Sequence, residues 1–367
     1  MSIILICFLG VLVVQVGYLI FYLIAFSKKG KVGEAKPQPV SVIVSAHDEE
    51  DNLRELIPML LQQDYPEFEV IVVDDRSNDD SFSILRHFAQ DNKNFKHLEV
   101  KQKPDHVNGK KFALTLAIKA ASHEWILLTD ADCRPVSNHW IKSMSTCFSD
   151  DISIVTGYSP YEKGPGLLNA FIRYEALLTA IQYLGQALMG KPYMGVGRNL
   201  AYRKSLFLQN KGFSTHLDVT GGDDDLFVNK VANRHNLMPC LLKDSLVYSK
   251  PKITWGDFYH QKIRHLSVGK RYRTVDKLRL GAFNMCLILT WLLFIPALLV
   301  PEFMALVLTA FIARIIILFF LSRTVSRKLG DGFEAWKVPF LDFIFTIYYL
   351  VTGLVALQTN KIRWKKT

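Results

Sequence analysis

The chain has 367 residues, half of them apolar and 21% charged, with a formal net charge of +10. That length holds one domain of roughly 200–250 residues plus membrane segments, and the charged share excludes a pure membrane bundle. The positive charge is placed for anionic lipid and not for nucleic acid: residues 251–280 carry eight Lys/Arg against two Asp, residues 358–367 carry four against none, and both adjoin apolar runs. The five cysteines (7, 133, 147, 240 and 286) have neither metal-ligand nor disulfide spacing, as expected in a reducing compartment.

Residues 2–26 are apolar apart from Gln15 and, as a helix, extend about 37 Å, enough to cross a bilayer. No basic residue precedes the run and it is too long for a signal peptide, so residues 1–27 are read as a retained anchor. Lys28, Lys29, Lys31 and Lys36 follow, and the positive-inside rule then puts the chain from residue 27 onward in the cytoplasm.

Residues 37–250 alternate strand-like and helix-like runs. Val40–Ser45 is a β-branched strand and Leu53–Gln63 has helical leucine spacing. Val70–Val73 is a second strand, ending at Asp74-Asp75. Ser81–Asn92 and Lys111–Ala121 read as helices, and Trp125–Thr129 as a third buried strand ending at Asp130. The alternation predicts an α/β domain with a mainly parallel sheet, whose ligands bind beyond the carboxyl ends of the strands.

Residues 251–280 read as a basic amphipathic segment at the membrane interface. Apolar runs at about 282–300 and 303–321, joined by a turn at Val300-Pro301-Glu302, predict a transmembrane hairpin within 281–322. Arg323, Arg327 and Lys328 follow it on the cytoplasmic side. A further apolar segment, 338–357, either crosses or re-enters. Crossing sends the basic tail (Lys361, Arg363, Lys365, Lys366) outside, against the positive-inside rule, and Pro339 and Asp342 near its start suit re-entry.

Four polar signatures carry the chemistry. Thr129-Asp130-Ala131-Asp132 sets two carboxylates at i and i+2 after a strand. Such hard oxygen ligands suit Mg²⁺ or Mn²⁺ shared with a substrate diphosphate; a solvated turn is the rival, weakened by the buried strand before it. Asp74-Asp75-Arg76-Ser77 places carboxylates where a nucleobase or ribose can be held, while Ser77–Asp80 suits capping of the next helix. Asn108-Gly109-Lys110-Lys111 sets Lys110 at a helix start, as an anion contact or a solvated basic turn. Gly221-Gly222-Asp223-Asp224-Asp225 sets three adjacent carboxylates before a helix; like charges so close raise one another's pKa, which favours a base, and three exceed what capping requires. Gln261-Lys262-Ile263-Arg264-His265 puts Gln261 and Arg264 on one helix face, as diphosphate and acceptor contacts or as a headgroup-binding helix.

In this order the signatures resemble those of the membrane-bound family-2 inverting glycosyltransferases, which share the GT-A fold. The resemblance covers about residues 38–280. Val42–Leu53 is similar to the family's first-strand segment, with Asp48 where Asn is usual. It implies nucleotide-base aspartates at Asp74 and Asp75, a Gly-Lys helix start at Gly109-Lys110, and a metal-binding DxD at Asp130 and Asp132. The segment Gly195–Arg203, with Asn199, resembles the lining of the donor-sugar and acceptor pocket. Asp223-Asp224 matches the family's Glu-Asp pair, whose second member is the base, so Asp224 is the expected base, with Asp223 and Asp225 as alternates. Gln261, Arg264 and His265 fall at QxxRW with His for Trp, and Lys361–Lys365 is also similar to the family's tail. The resemblance implies a nucleotide-sugar donor, UDP-linked by expectation, a lipid or lipid-linked acceptor, Mg²⁺ or Mn²⁺, and a catalytic domain at the cytoplasmic face of the membrane. His265 and the small number of spans argue against processive polymer synthesis.

Overall fold

The computed structural model describes residues 3–28 and 37–358. Lys29, Lys31, Lys36 and the tail Lys361–Lys366 lie outside the described residues. The elements, in chain order, are α1 (Ile3–Ser27), β1 (Val40–Ala46), α2 (Glu50–Leu61), β2 (Phe68–Asp74), α3 (Ser81–Asp91), β3 (Phe95–Glu99), α4 (Gly109–Ala120), β4 (Trp125–Asp130), β5 (Cys133–Pro135), α5 (Trp140–Ser145), β6 (Ile154–Thr156), α6 (Gly166–Leu188), β7 (Leu200–Arg203), α7 (Lys204–Gln209), α8 (Asp225–Val231), β8 (Leu237–Pro239), β9 (Val247–Ser249), α9 (Trp255–Val268), α10 (Thr274–Leu298), α11 (Met304–Leu329) and α12 (Val338–Gln358). They form two compact units. A sheet unit holds β1 through Glu162 and Ala187–Pro251; a helix unit holds α1, Lys163–Gln186 and the chain from Lys252 onward.

In the sheet unit the described residues form a seven-stranded sheet, ordered β3-β2-β1-β4-β7-β6-β8, and a β5-β9 ribbon. β1 pairs in parallel with both β2 and β4. The chain therefore departs in opposite directions on either side of β1, which opens a crevice at the carboxyl ends of β1 and β4. β7 is antiparallel to both β4 and β6, so the parallel half is the one that the alternating sequence pattern predicts. β1 is buried on both faces, as an inner parallel strand must be. Val42 and Val44 pack with Leu53, Leu56 and Leu60 of α2, while Ile43 packs with Ala113, Leu114 and Ile118 of α4. A slip of one residue would exchange these two sets, so the two cores fix the register that aligns Asp74 and Asp130 at the same edge.

Within the expected segment Ser77–Asp80, Asp79 does the capping. Asp79 accepts Glu50 N–H and Ser81 N–H, each at 3.0 Å, and so ties the starts of α2 and α3 together; Asp80 gives no side-chain cap.

Among the described residues, four helices of the helix unit are long and apolar enough to cross a membrane: α1, α10, α11 and α12 with their flanking turns. The hairpin is longer than its apolar runs, because α10 begins at Thr274 and α11 continues to Leu329. Gln15, the polar break in the first run, is wholly buried and accepts hydrogen bonds from Thr290 Oγ1 (2.7 Å) and Arg314 Nε (3.2 Å). Arg314 is itself fully buried and ion-paired with Asp342, which also accepts from Trp291 Nε1 (2.8 Å) and Tyr174 Oη (3.1 Å). Partners of this kind are what make buried polar groups tolerable in apolar surroundings.

The same contacts orient α12. Asp342 meets Trp291, and seven residues later Tyr349 meets Asn284 (3.0 Å), so α12 is antiparallel to α10. Residues 331–333 stay on the end of α11 through Ser326. The carboxyl ends of α1, α11 and α12 and the start of α10 thus lie toward one end of the helix unit. α6 also belongs to this unit. Its Gly185 approaches Tyr22 so closely that a Cβ would stand 2.6 Å from the ring, and its Phe171 packs on Phe258, Phe345 and Tyr348.

Candidate active site

The acidic signatures of the sheet unit converge at the strand ends. Asp74 closes β2 and is buried, and its Oδ1 accepts Ser77 N–H at 3.2 Å. It lines a pocket of about 400 Å³ with Ser77, Phe82 and Lys101. Asp75 is paired with Arg76 (2.9 Å) and rests against the start of α4. A Cβ on Gly109 would stand 2.2 Å from Asp75 Oδ2, so the absence of a side chain at 109 lets the two segments touch. Arg76 takes the left-handed backbone conformation (φ 61°), a cost of order 1 kcal/mol or more that re-aims the chain at the strand end.

The next residue after Gly109 links the remaining acids. Lys110 Nζ lies 2.8 Å from Asp130 Oδ1 and 3.3 Å from Asp223 Oδ2. Burial opposes its charge, but Asp130 and Asp223 outweigh burial and hold Lys110 above the usual lysine range. Lys111, by contrast, is pushed down to about 8 by burial, and donates to the carbonyls of His216 (2.6 Å) and Val219 (2.9 Å), fixing the loop before Gly221.

The three aspartates do not behave alike, which corrects the expectation that each raises its neighbour. Asp223 is buried, yet Lys110 and a backbone N–H hold it below the usual carboxylate range. Asp224 is pushed up, by burial first and by the charge of Asp223 second. Its Oδ2 accepts Gly197 N–H at 2.6 Å and its Oδ1 accepts Asp225 N–H at 2.7 Å. Asp225 turns back into its helix, accepting Leu226 N–H (2.7 Å). Two neighbouring carboxyls whose proton affinities are driven apart are a recurring acid–base arrangement.

Asp130 and Asp132 sit at the end of β4 and in the turn beyond it. Arg134 grips that turn, donating to the carbonyls of Ala131 (2.9 Å) and Cys133 (2.7 Å) while anchored to Glu55 (2.6 Å). Arg134 and Lys250 hold Glu55 below the usual carboxylate range. The carboxylate of Asp132 meets the Cys133 thiol at 3.5 Å and, among the described residues, pairs with no cation. No three His, Cys, Asp or Glu side chains converge as a metal cage among the described residues. The hard oxygen atoms of Asp130 and Asp132 suit a divalent ion that takes one or two carboxylates and completes its shell with phosphate oxygens and water.

Asn199 is placed differently from the pocket-lining role that its motif implies. It is wholly buried and its amide is fully used, accepting from Trp140 Nε1 (3.0 Å) and donating to the carbonyls of Tyr158 (2.8 Å) and Ser245 (2.7 Å). It braces the strap that carries Gly197 and Arg198. Gln261, Arg264 and His265 lie on α9 of the helix unit, Gln261 and Arg264 sharing a face and His265 exposed. Sequence reading overlooked Arg198 and Arg134, whose positions depend on contacts with the β5-β9 ribbon.

A mostly parallel sheet with acidic strand ends at its crevice is a GT-A arrangement. Over 96% of this chain and 99% of its own, the mannosyltransferase PcManGT from Pyrobaculum calidifontis, solved in complex with GDP-Man and Mn²⁺, superposes with a TM-score of 0.61 at 19% identity. Residues 41–209, a little under half of the chain, match the model of glycosyl transferase family 2. A 94-residue stretch is 32% identical to poly-beta-1,6-N-acetyl-D-glucosamine synthase of Staphylococcus epidermidis, covering 25% of this chain and 21% of that protein. Another, of 186 residues, is 27% identical to the glycosyltransferase AglE of Haloferax volcanii, covering 50% and 58%. The chain thus spans about a fifth of the length of the staphylococcal synthase that it matches.

Proposed function

We propose that the protein is an inverting glycosyltransferase that moves one sugar from a nucleotide-diphosphate donor, UDP-linked by expectation, to a hydroxyl of a membrane lipid or lipid-linked glycan. The placement of Asp223 on Lys110 (3.3 Å), with Asp224 beside it held, among the described residues, only by the backbone N–H groups of Gly197 and Asp225, carries this reading. Asp223 and Lys110 form a fixed charge pair, and Asp224 beside them has the raised proton affinity of a base. The acceptor hydroxyl loses its proton to Asp224 as its oxygen bonds to the anomeric carbon. The bond to the diphosphate breaks on the opposite face and its electron pair leaves with the diphosphate, so configuration inverts without a covalent glycosyl-enzyme.

Asp74, on the pocket wall, and Asp75 are the candidates for holding the nucleoside. Asp132, with Asp130, would hold Mg²⁺ or Mn²⁺, which when bound supplies positive charge to the departing diphosphate. Lys110 adds a fixed cation beside Asp130. Gln261, Arg264 and His265 are proposed to meet the acceptor or the leaving phosphate.

The end of the helix unit shared by Lys28, Lys328 and the start of α10 is basic, and the positive-inside rule makes it the cytoplasmic end. α12, antiparallel to α10, then re-enters and returns there, and the basic tail stays inside. Residues 251–280 form the interface segment and 37–250 the catalytic domain, from which α6 is lent to the helix unit.

The test is a screen of UDP- and GDP-sugars with the full chain in lipid nanodiscs, Mn²⁺ and a membrane lipid extract, read by nucleotide release and product mass. A lipid one sugar heavier supports the reading. Failure of every donor to release a nucleoside diphosphate overturns it. The similarity to a polymer synthase motivates a second reading, repeated addition, which a ladder of products would select.

A further inference from the structure

We propose that Arg198 is the protein's own cation for the departing diphosphate, a role that rests on the glycosyltransferase reading above. Its guanidinium lies 4.6 Å above the ring of Tyr161. Arg198 is half-buried, and among the described residues it makes no ion pair or hydrogen bond. A guanidinium partly removed from water ordinarily finds a carboxylate.

The backbone on both sides of it is fixed. Gly197 gives its N–H to Asp224 (2.6 Å), and Asn199 is held by Trp140, Tyr158 and Ser245. Tyr161 bridges to Ser249, and Ser249 pairs with Cys133, the residue after Asp132. The ring beneath the guanidinium thus belongs to the ribbon that carries the metal-type aspartate. Burial opposes the charge of Arg198, but Tyr161 first, then Cys133, Asp132 and Asp130, outweigh it and hold Arg198 above its ordinary range.

Arg198 and Asp132 are therefore opposite charges in one neighbourhood that do not pair. A diphosphate with its divalent cation would be held by both, Asp132 taking the cation and Arg198 the phosphate oxygens. The planar fork suits two oxygens at once, and the tyrosine ring contributes a cation–π contact and not a hydrogen-bond partner. As the bond to the anomeric carbon breaks, negative charge gathers on the oxygens that Arg198 would contact, so its hydrogen bonds strengthen in the transition state.

The experiment titrates UDP, GDP, UMP and GMP into the full chain in detergent with Mn²⁺, by calorimetry, for wild type, Arg198→Gln and Arg198→Lys. Wild type is expected to prefer one diphosphate to its monophosphate. Arg198→Gln should lose about ten- to a hundredfold in diphosphate affinity with the monophosphate unchanged, and Arg198→Lys should lose less. If Arg198→Gln does not fold, by its thermal transition, the Lys variant decides: an unchanged diphosphate preference overturns the assignment, as it does for the Gln variant. A wild-type chain that binds neither diphosphate overturns the donor reading itself.

Discussion

Asp224→Asn exchanges a carboxylate for an amide of the same shape at the start of α8, and the structure separates its two consequences. The retained oxygen can still accept Asp225 N–H, now at 2.7 Å. The new NH₂ would face Gly197 N–H, which the carboxylate holds at 2.6 Å, donor against donor. An N–H left unsatisfied there costs about 1–3 kcal/mol of stability. Loss of the base costs about 10²–10⁴ in kcat, roughly 3–5 kcal/mol of barrier. Nucleoside-diphosphate binding should persist, because Asp74, Asp75 and Lys110 are untouched. In wild type the rate should fall as pH drops through the raised pKa of Asp224, and this limb should vanish in the residual activity of the variant. Stability gives an independent sign. The folded state holds this proton more tightly than the unfolded chain, so between the ordinary carboxylate pKa and the raised one the contribution of Asp224 to stability falls as pH rises. The assay is donor turnover at saturation alongside thermal unfolding. A folded variant with kcat within tenfold of wild type refutes the assignment.

Chelation of divalent metal should stop turnover and Mn²⁺ or Mg²⁺ should restore it, with Asp132→Asn needing far more metal; full activity in chelator would remove the DxD from the mechanism. Gly109→Ala sets a Cβ 2.2 Å from Asp75 Oδ2 and should cost about 1–3 kcal/mol by overpacking. Calorimetry should show weaker nucleotide binding as Asp75 is displaced, and unchanged affinity would count against Asp75. Asp342→Ala strands the buried guanidinium of Arg314 and should destabilise the full chain in detergent by about 3–5 kcal/mol. The double variant Arg314→Met/Asp342→Leu should recover most of that loss, and equal stability of the single variant and wild type would contradict the pair's role.

Half of the sheet is legible because its strands are short apolar runs, two of which end in aspartates: Val40–Ser45, Val70–Val73 and Trp125–Thr129 become β1, β2 and β4. The other half is not, since β6, β7 and β8 are three or four residues long and show no period. The acidic site residues were visible as strand-end and helix-start carboxylates. Their division of labour was not, because Lys110 sorts Asp223 from Asp224 through a contact distant in sequence. Asn199 shows the opposite case, a residue in a recognisable motif whose amide is spent on Trp140, Tyr158 and Ser245. Gln15 looked like a flaw in an apolar run until Thr290 and Arg314 supplied its partners.

α6 sits in the middle of the catalytic sequence but is built for other neighbours, with Phe171 and Tyr174 packed on Phe258, Phe333, Phe345 and Tyr348. During synthesis it emerges before any of those partners exist, between β6 and the β7 strand that completes the sheet. The nascent chain must therefore shelter the apolar side chains of a 23-residue helix, with only α1 available to it, until the last membrane helices are made. Residues 37–250 alone would carry that helix bare, whereas replacing 163–186 by a short polar linker would leave the sheet unit its own core.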